Sequence, residues 1–240
     1  IIFSNVFAEL LYGLLQRIVF YKFYPHFKKL NPKFNKDIAK KIWSFGIKYW
    51  GVNLSGVLFL GTDNIIIGAV FGASVASIFF TSKMFASLII TIISKIIDQT
   101  YPALNQISKQ EGYDYFKIRI VNMYRYLLLL VLPSCLAIII FLESIIIFWV
   151  GAEQYGGSLL SIALSMYVFI QVNFHLTGIT ILVIGNLGYW SIISVLSGFF
   201  GVLIAYYLSN FGLAFVTISM SLSMLPPLIY LLNRMIKYLK

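Results

Sequence analysis

Hydrophobic residues are concentrated in long runs along this chain, and the runs predict membrane-spanning helices. A helix needs about 20 mostly apolar residues to cross the hydrocarbon core of a bilayer. The runs do not alternate with a period of two, so membrane-spanning strands are not predicted. The apolar segments lie at 1–21, 43–71, 75–97, 123–149, 158–184, 189–208 and 212–232. The pattern therefore predicts an all-α polytopic membrane helical bundle of about seven transmembrane helices.

Composition agrees with a membrane protein and disfavours other classes. Hydrophobic residues make up 60% of the 240 residues and charged residues 11%, whereas a soluble domain is about 45–50% apolar and about 25% charged. A soluble enzyme, a nucleic-acid binder, a disordered chain and a disulfide scaffold are all disfavoured. The only cysteine, Cys135, lies inside an apolar run, so we expect a buried thiol.

The net charge of +10 is distributed in a way that predicts topology. Lysine and arginine cluster between the first two spans, between the third and fourth spans, and at the C-terminus. The connections near 70–75, 150–157 and 209–212 carry neither residue. Cytoplasmic loops of membrane proteins are enriched in basic residues. We therefore expect the 22–42 loop, the 98–122 loop and the C-terminus to be cytoplasmic, with the lipid bilayer rather than nucleic acid as the partner.

Local signals refine the helix boundaries. Asn35 is suited to cap a helix that starts at Lys36, and this helix is predicted to lie on the inner leaflet before it enters the second span. Residues 103–122 are predicted to form a short interfacial helix after Pro102, broken at Gly112. Kinks are predicted where proline interrupts the fourth and seventh spans. A seam of small residues predicts close packing of the sixth span. The seam comprises Ser191, Ser194, Gly198, Gly201, Ala205 and Ser209.

Two oppositely charged residues are predicted at membrane depth. Asp63 on the second span lies about 12 Å of helix from the external turn, and Lys83 on the third span lies about 15 Å from it. A hairpin brings them to similar depth, so they are predicted to face each other or a shared wet cavity. A functional role, a structural ion pair and an outward-snorkelling lysine all remain open. Asn53 shares the face of Asp63 and is a further candidate for the cavity.

Further polar residues are candidates for a hydrophilic cavity. Gln171 and His175 share one face of the fifth span, and Asn173 lies on a neighbouring stripe. Hydrogen bonding between helices is the alternative explanation. Glu9 in the first span is a candidate cavity carboxylate. His175 has no second ligand at suitable spacing, so no metal site is predicted. The chain has no phosphate loop, GxGxxG, HExxH or nucleophile elbow, so neither an enzyme nor a cofactor is predicted.

Several segments resemble bacterial polysaccharide exporters. LSGVLFLGTDNIIIGAVFGASVASIFFTSKMF at 54–85, FWVGAEQYGGSLLSIALS at 148–165 and the closing helix pair at 185–223 are similar to segments of the O-antigen and capsule repeat-unit flippases. These flippases belong to the multidrug/oligosaccharidyl-lipid/polysaccharide exporter superfamily. The positions that fit the pattern are Thr62, Asp63, Gly68, Gly72, Val75 and Pro102.

The resemblance implies a fold of two pseudo-symmetric bundles of about six helices each. This chain would then be a C-terminal fragment, consistent with its start at Ile1. The implied domains are the last helix of the first bundle at 1–21, a basic cytoplasmic linker at 22–42, the second bundle at 43–232 and a basic cytoplasmic tail at 233–240.

The resemblance also implies translocation of oligosaccharide linked to undecaprenyl pyrophosphate across the bacterial inner membrane. Alternating access coupled to a cation gradient, H+ or Na+, is implied. Asp63 is the implied coupling or cavity residue, and Lys83 or Lys48 would offset the anionic pyrophosphate. The alternatives are a small-molecule or drug exporter of the same superfamily, a membrane-embedded polysaccharide polymerase, and an assembly subunit.

Overall fold

The computed structural model describes residues 2–25, 34–110, 113–185 and 187–239. The described residues form helices and no strand, which confirms the predicted all-α class. The helices are α1 (Ile2–Phe23), α2 (Lys36–Phe71), α3 (Ala73–Gln110), α4 (Tyr113–Val150), α5 (Ser158–Ile184), α6 (Trp190–Leu208), α7 (Leu213–Ser223) and α8 (Leu225–Tyr238). Short 3-10 turns at Ala152–Gln154 and Ser209–Phe211 precede α5 and α7.

Six helical segments within the described residues are long and apolar enough to cross a membrane. They are α2, α3, α4, α5, α6 and the combined α7–α8, and they match the second to seventh predicted spans. The chain is therefore a multi-pass membrane protein. The first predicted span coincides with α1. The side chain of Glu9 lies outside the described residues, so its proposed place in a cavity stays a prediction.

The chain divides into two compact units, Ile1–Ser44 and Phe45–Lys240. In the first unit the side-chain oxygen of Asn35 accepts hydrogen bonds from the backbone N–H groups of Asp37, at 2.9 Å, and Ile38, at 3.2 Å. These bonds satisfy donors that every helix leaves unpaired at its N-terminus. The predicted cap at the start of α2 is confirmed.

Helix α5 is the central element of the second unit. It packs against α3, α4, α7 and α8, and most of its side chains are buried. Its neighbours cover several of its polar side chains, among them Ser161, Ser165 and Gln171, which would be costly in contact with lipid. Its bounds agree with the predicted segment 158–184. Gly157 at its start and Gly185 at its end have positive φ angles, which side-chain-bearing residues rarely adopt.

The seam of small residues on α6 is buried as predicted. A side chain added at Gly198 would meet Leu58 of α2 at 3.0 Å, and one added at Gly201 would collide with Ser223 at the end of α7. Helices without large side chains between them approach closely and gain dispersion contacts. The sixth helix therefore joins α2 and α7 through this seam.

The segment that was predicted to form a short interfacial helix differs from the prediction. Helix α3 continues through Pro102 to Gln110, and α4 begins at Tyr113, so residues 103–122 belong to the ends of two long helices. Proline removes one helical hydrogen bond. Tertiary packing compensates, because Leu104 beyond the proline is buried with Phe116 of α4 in one hydrophobic cluster. Residues 111 and 112 lie outside the described part.

Kinks were predicted at prolines in the fourth and seventh spans, and the structure treats the two spans differently. Pro133 lies within α4, which continues to Val150. The seventh span is broken rather than kinked: α7 ends at Ser223, and α8 begins at Leu225 with two prolines in its first turn. Proline is favourable there because its missing N–H would be unpaired anyway. Helix α8 then runs into the basic segment predicted as a tail.

Candidate functional site

Asp63 and Lys83 form a buried ion pair between α2 and α3. The Lys83 Nζ lies 2.5 Å from an Asp63 carboxylate oxygen, and the two residues are 5% and 1% exposed. Nζ also donates to the Leu60 carbonyl at 3.0 Å, and the other Asp63 oxygen accepts the Asn64 N–H at 2.8 Å. The predicted pairing is confirmed. Lys83 does not snorkel outward, because its ammonium is enclosed.

Aromatic rings complete the surroundings of this pair. The Lys83 Nζ lies 5.8 Å from the ring centroid of Phe79 and 5.5 Å from that of Tyr167 on α5. Cations are attracted to aromatic ring faces, and the attraction increases when water is excluded. The ion pair therefore connects α2, α3 and α5 in a dry environment.

A cavity of about 680 Å³ lies between α2, α3, α5 and α6. Its polar lining residues come from all four helices: Tyr49, Asn53, Asp98, Gln171, His175 and Trp190. Ligand sites usually have volumes of about 300–1,000 Å³ and combine apolar walls with a few placed polar groups. The cavity has this character. Asn53, Gln171 and His175, predicted as cavity candidates from sequence, are brought together here.

His175 of α5 and Asp98 of α3 form a polar contact in the cavity wall. The His175 Nε2 lies 2.8 Å from an Asp98 carboxylate oxygen, and both side chains are partly exposed. Asp98 was missed by the sequence analysis because the third span was predicted to end at 97. The signal was present, since Ile93, Ile97 and Leu104 continue one helical face past that point. Among the described residues, no third histidine, cysteine or acidic residue joins this pair as a metal ligand.

Gln171 and Trp190 each carry a polar atom without a partner. The residues are 8% and 3% exposed, and within the described structure neither the Gln171 Oε1 nor the Trp190 Nε1 has a hydrogen-bond partner. Buried polar groups are usually paired, so these two unpaired atoms beside one cavity indicate groups that a ligand could satisfy.

The Trp190 indole is held in place by close packing. Its ring lies edge-on to Phe174, with centroids 6.2 Å apart. A Cβ atom at Gly178 would lie 3.1 Å from the indole, which is a tight contact that glycine avoids. Helix α5 therefore packs closely against the indole ring through Phe174 and Gly178.

Other sequence candidates lie outside the cavity lining. Asn173 donates to the Phe169 carbonyl of its own helix at 2.8 Å, which is a local hydrogen bond. Lys48 is exposed on α2. Asp63 and Lys83 are bonded to each other and are not among the residues that line the cavity.

The fold and the cavity define a multi-pass membrane protein with a polar internal site. A family model described as polysaccharide biosynthesis protein matches residues 2–157. The chain belongs to this family, and its role is in polysaccharide biosynthesis. The match includes Asn53 and Asp98, whereas Gln171, His175 and Trp190 lie beyond it. Neither the curated proteins nor the solved structures contain a match to the chain.

Proposed function

We propose that this protein is a transporter that flips lipid-linked oligosaccharide repeat units across the bacterial inner membrane. The observation that carries the proposal is the polar cavity within a membrane bundle of a polysaccharide biosynthesis protein. Synthesis of a surface polysaccharide begins on the cytoplasmic side, so a hydrophilic repeat unit has to cross the bilayer. The carrier lipid in this proposal is undecaprenyl pyrophosphate.

The depth of the cavity supports transport. Gln171 lies about 20 Å of helix from the start of α5 at Ser158. Polar side chains at this depth are costly in lipid and usually line a pathway or contact a partner helix. Alternating access would open such a cavity to each side of the membrane in turn. The oligosaccharide would enter the polar space while the lipid tail stays in the bilayer.

Short connections favour transport over catalysis. Only Gly72 separates α2 from α3, and a seven-residue connection of residues 151–157 separates α4 from α5. Under the positive-inside orientation these connections are external, with the 22–42 segment and the C-terminus cytoplasmic. A polymerase would need external groups that hold the pyrophosphate, and these connections carry no Lys or Arg. We therefore propose that the protein is not an enzyme.

A coupling cation, H+ or Na+, belongs to the proposal. Asp63 is the candidate from sequence, but its carboxylate is already bonded to Lys83. Asp98 is the carboxylate that lines the cavity. Replacement of each by asparagine in a transport assay would separate the two, because loss of coupling abolishes the response to an imposed ion gradient.

Complementation tests the function. In a strain that lacks its own flippase, the lipid-linked repeat should accumulate on the inner face and surface glycan should be lost. Expression of the gene that encodes this chain should restore surface glycan and remove the accumulated intermediate. Continued accumulation would contradict the proposal. In a strain that lacks its own polymerase instead, conversion of single surface repeats into long chains on expression of the gene would indicate a polymerase.

A further inference from the structure

We infer that the cavity between α2, α3, α5 and α6 is a binding subsite for an uncharged sugar ring. The inference rests on the proposed transport function and names the chemistry that this second-unit cavity accepts.

The unpaired atoms match a hydroxyl group. The Trp190 Nε1 is a donor and the Gln171 Oε1 is an acceptor, and both are shielded from solvent. A sugar hydroxyl both donates and accepts, so adjacent hydroxyls of one ring would serve both groups once the Gln171 amide and the Trp190 indole N–H turn toward the cavity. The Gln171 amide then offers an oxygen or a nitrogen as the hydroxyl requires. A purely apolar ligand would leave both groups unpaired.

Aromatic side chains provide a surface for the apolar faces of a sugar ring. Tyr49, Phe174 and Trp190 all line the cavity. Aromatic rings present broad, rigid apolar area, and Trp and Tyr add a polar group at the edge. A sugar ring has C–H groups on its faces and hydroxyls on its rim, which is the complementary arrangement. Gly178 preserves this surface because it leaves room for the Trp190 ring.

The charges in the cavity disfavour an acidic ligand. Asp98 and His175 are the charged or titratable groups among the described lining residues apart from the Tyr49 phenol, and they face each other. No Lys or Arg occurs among those lining residues. Lys83 is bonded to Asp63 outside the lining. A carboxylate or phosphate in the cavity would lie near Asp98 without a free cation to neutralise it, and such burial is costly.

The volume fits a sugar better than isolated water. The cavity measures about 680 Å³, whereas one water molecule occupies about 30 Å³ of liquid volume. A cavity of this size accepts a whole ring with its substituents. The pyrophosphate of a carrier lipid would have to lie elsewhere.

Binding to the purified chain in lipid nanodiscs tests the inference. The probes are N-acetylglucosamine and glucuronate, which are uncharged and anionic sugars of similar ring size. In a variant with Trp43, Trp50 and Trp149 replaced by phenylalanine, Trp190 is the only tryptophan left. We expect N-acetylglucosamine to shift its emission in a saturable manner, with glucuronate at least tenfold weaker. Equal or tighter binding of glucuronate would overturn the inference.

Substitutions locate the site. Equilibrium dialysis with radiolabelled N-acetylglucosamine should show at least tenfold weaker binding for Gln171→Leu and Trp190→Phe. Trp149→Phe is the matched control, because Trp149 is 53% exposed on α4 and does not line the cavity. Thermal unfolding of each variant checks that it is folded. Losses no larger than that of the control would contradict the subsite.

The two proposals fail separately. If N-acetylglucosamine binds as described but the gene does not restore surface glycan, the transport function is wrong while the sugar subsite is supported. If the gene restores surface glycan but Gln171→Leu and Trp190→Phe bind the sugar as Trp149→Phe does, the subsite is wrong while the transport function is supported.

Discussion

Asp63 and Lys83 show how two charges are retained inside a membrane bundle. Each would be expensive alone, because a charged side chain has no favourable partner in hydrocarbon. Their 2.5 Å contact is supported by the Leu60 carbonyl and the Asn64 N–H. A buried pair is favourable only when its remaining hydrogen-bond capacity is also used, and here much of it is.

Removal of both partners should therefore destabilise the protein less than the sum of the two separate removals. We expect Lys83→Met to lower the free energy of unfolding by about 3–5 kcal/mol, because it leaves the Asp63 carboxylate buried without a cation. The double variant with Asp63→Asn should lose less than the sum of the single variants. Thermal unfolding in nanodiscs measures these changes, with Lys48→Met at an exposed position as the control. Strictly additive losses would contradict the coupling.

Gly178 is expected to control the position of Trp190. In Gly178→Ala the new methyl group would press on the indole at 3.1 Å, and overpacking of this kind costs about 1–3 kcal/mol. Trp190 emission should change and N-acetylglucosamine binding should weaken severalfold. Gly68→Ala is the matched control, since nothing lies within 4 Å of a Cβ there. A Gly178→Ala variant with unchanged emission and binding would contradict this role of the glycine.

At the scale of helices, hydropathy located the apolar central part of each helix but not the full length of every helix. The bounds of α5 could be predicted because apolar residues fill it from Ser158 and glycine follows Ile184. The end of α3 could not, because its last turns are polar and extend beyond the apolar run to Gln110. Hydropathy measures the length in lipid rather than the length of the helix. This difference concealed Asp98, and with it one side of the cavity.

The candidate site was predictable in part for a similar reason. The polar face of the fifth span identified Gln171 and His175, since polar side chains are conspicuous among apolar ones. Tryptophan counts as an apolar residue, and Trp190 lies at the first position of a span. The sequence therefore did not indicate that its N–H would be unpaired. Helix periodicity shows which residues share a face but not which faces of four different helices meet.

The α6 seam is expected to be sensitive to side-chain size. In Gly201→Ala the added methyl group would collide with Ser223, so α6 and α7 would have to separate. We expect a loss of about 1–3 kcal/mol in unfolding free energy, measured by thermal unfolding in nanodiscs. Gly61→Ala, with open space at its Cβ position, should lose far less. Equal losses in the two variants would show that the seam is not closely packed.

At the scale of the whole molecule, the orientation can be tested by cysteine labelling. Ala152→Cys lies in the exposed turn before α5, and Lys109→Cys lies near the exposed end of α3. In spheroplasts a membrane-impermeant maleimide should label the first variant, and it should label the second only after permeabilisation. The native Cys135 is buried and should remain unlabelled in both. The reverse labelling pattern would contradict the proposed orientation in the membrane.

The short turn at Gly72 has a consequence for the biogenesis of this protein. Gly72 alone separates α2 from α3, and its φ of 84° reverses the chain within one residue. The Asp63–Lys83 pair therefore needs only these two neighbouring helices, and we expect it to form once both have left the ribosome. An Asp at the centre of a single inserting helix costs about 2.5–3.5 kcal/mol, whereas the paired hairpin presents no net charge at that depth. The turn and the ion pair together favour entry of α2 and α3 into the bilayer as one unit.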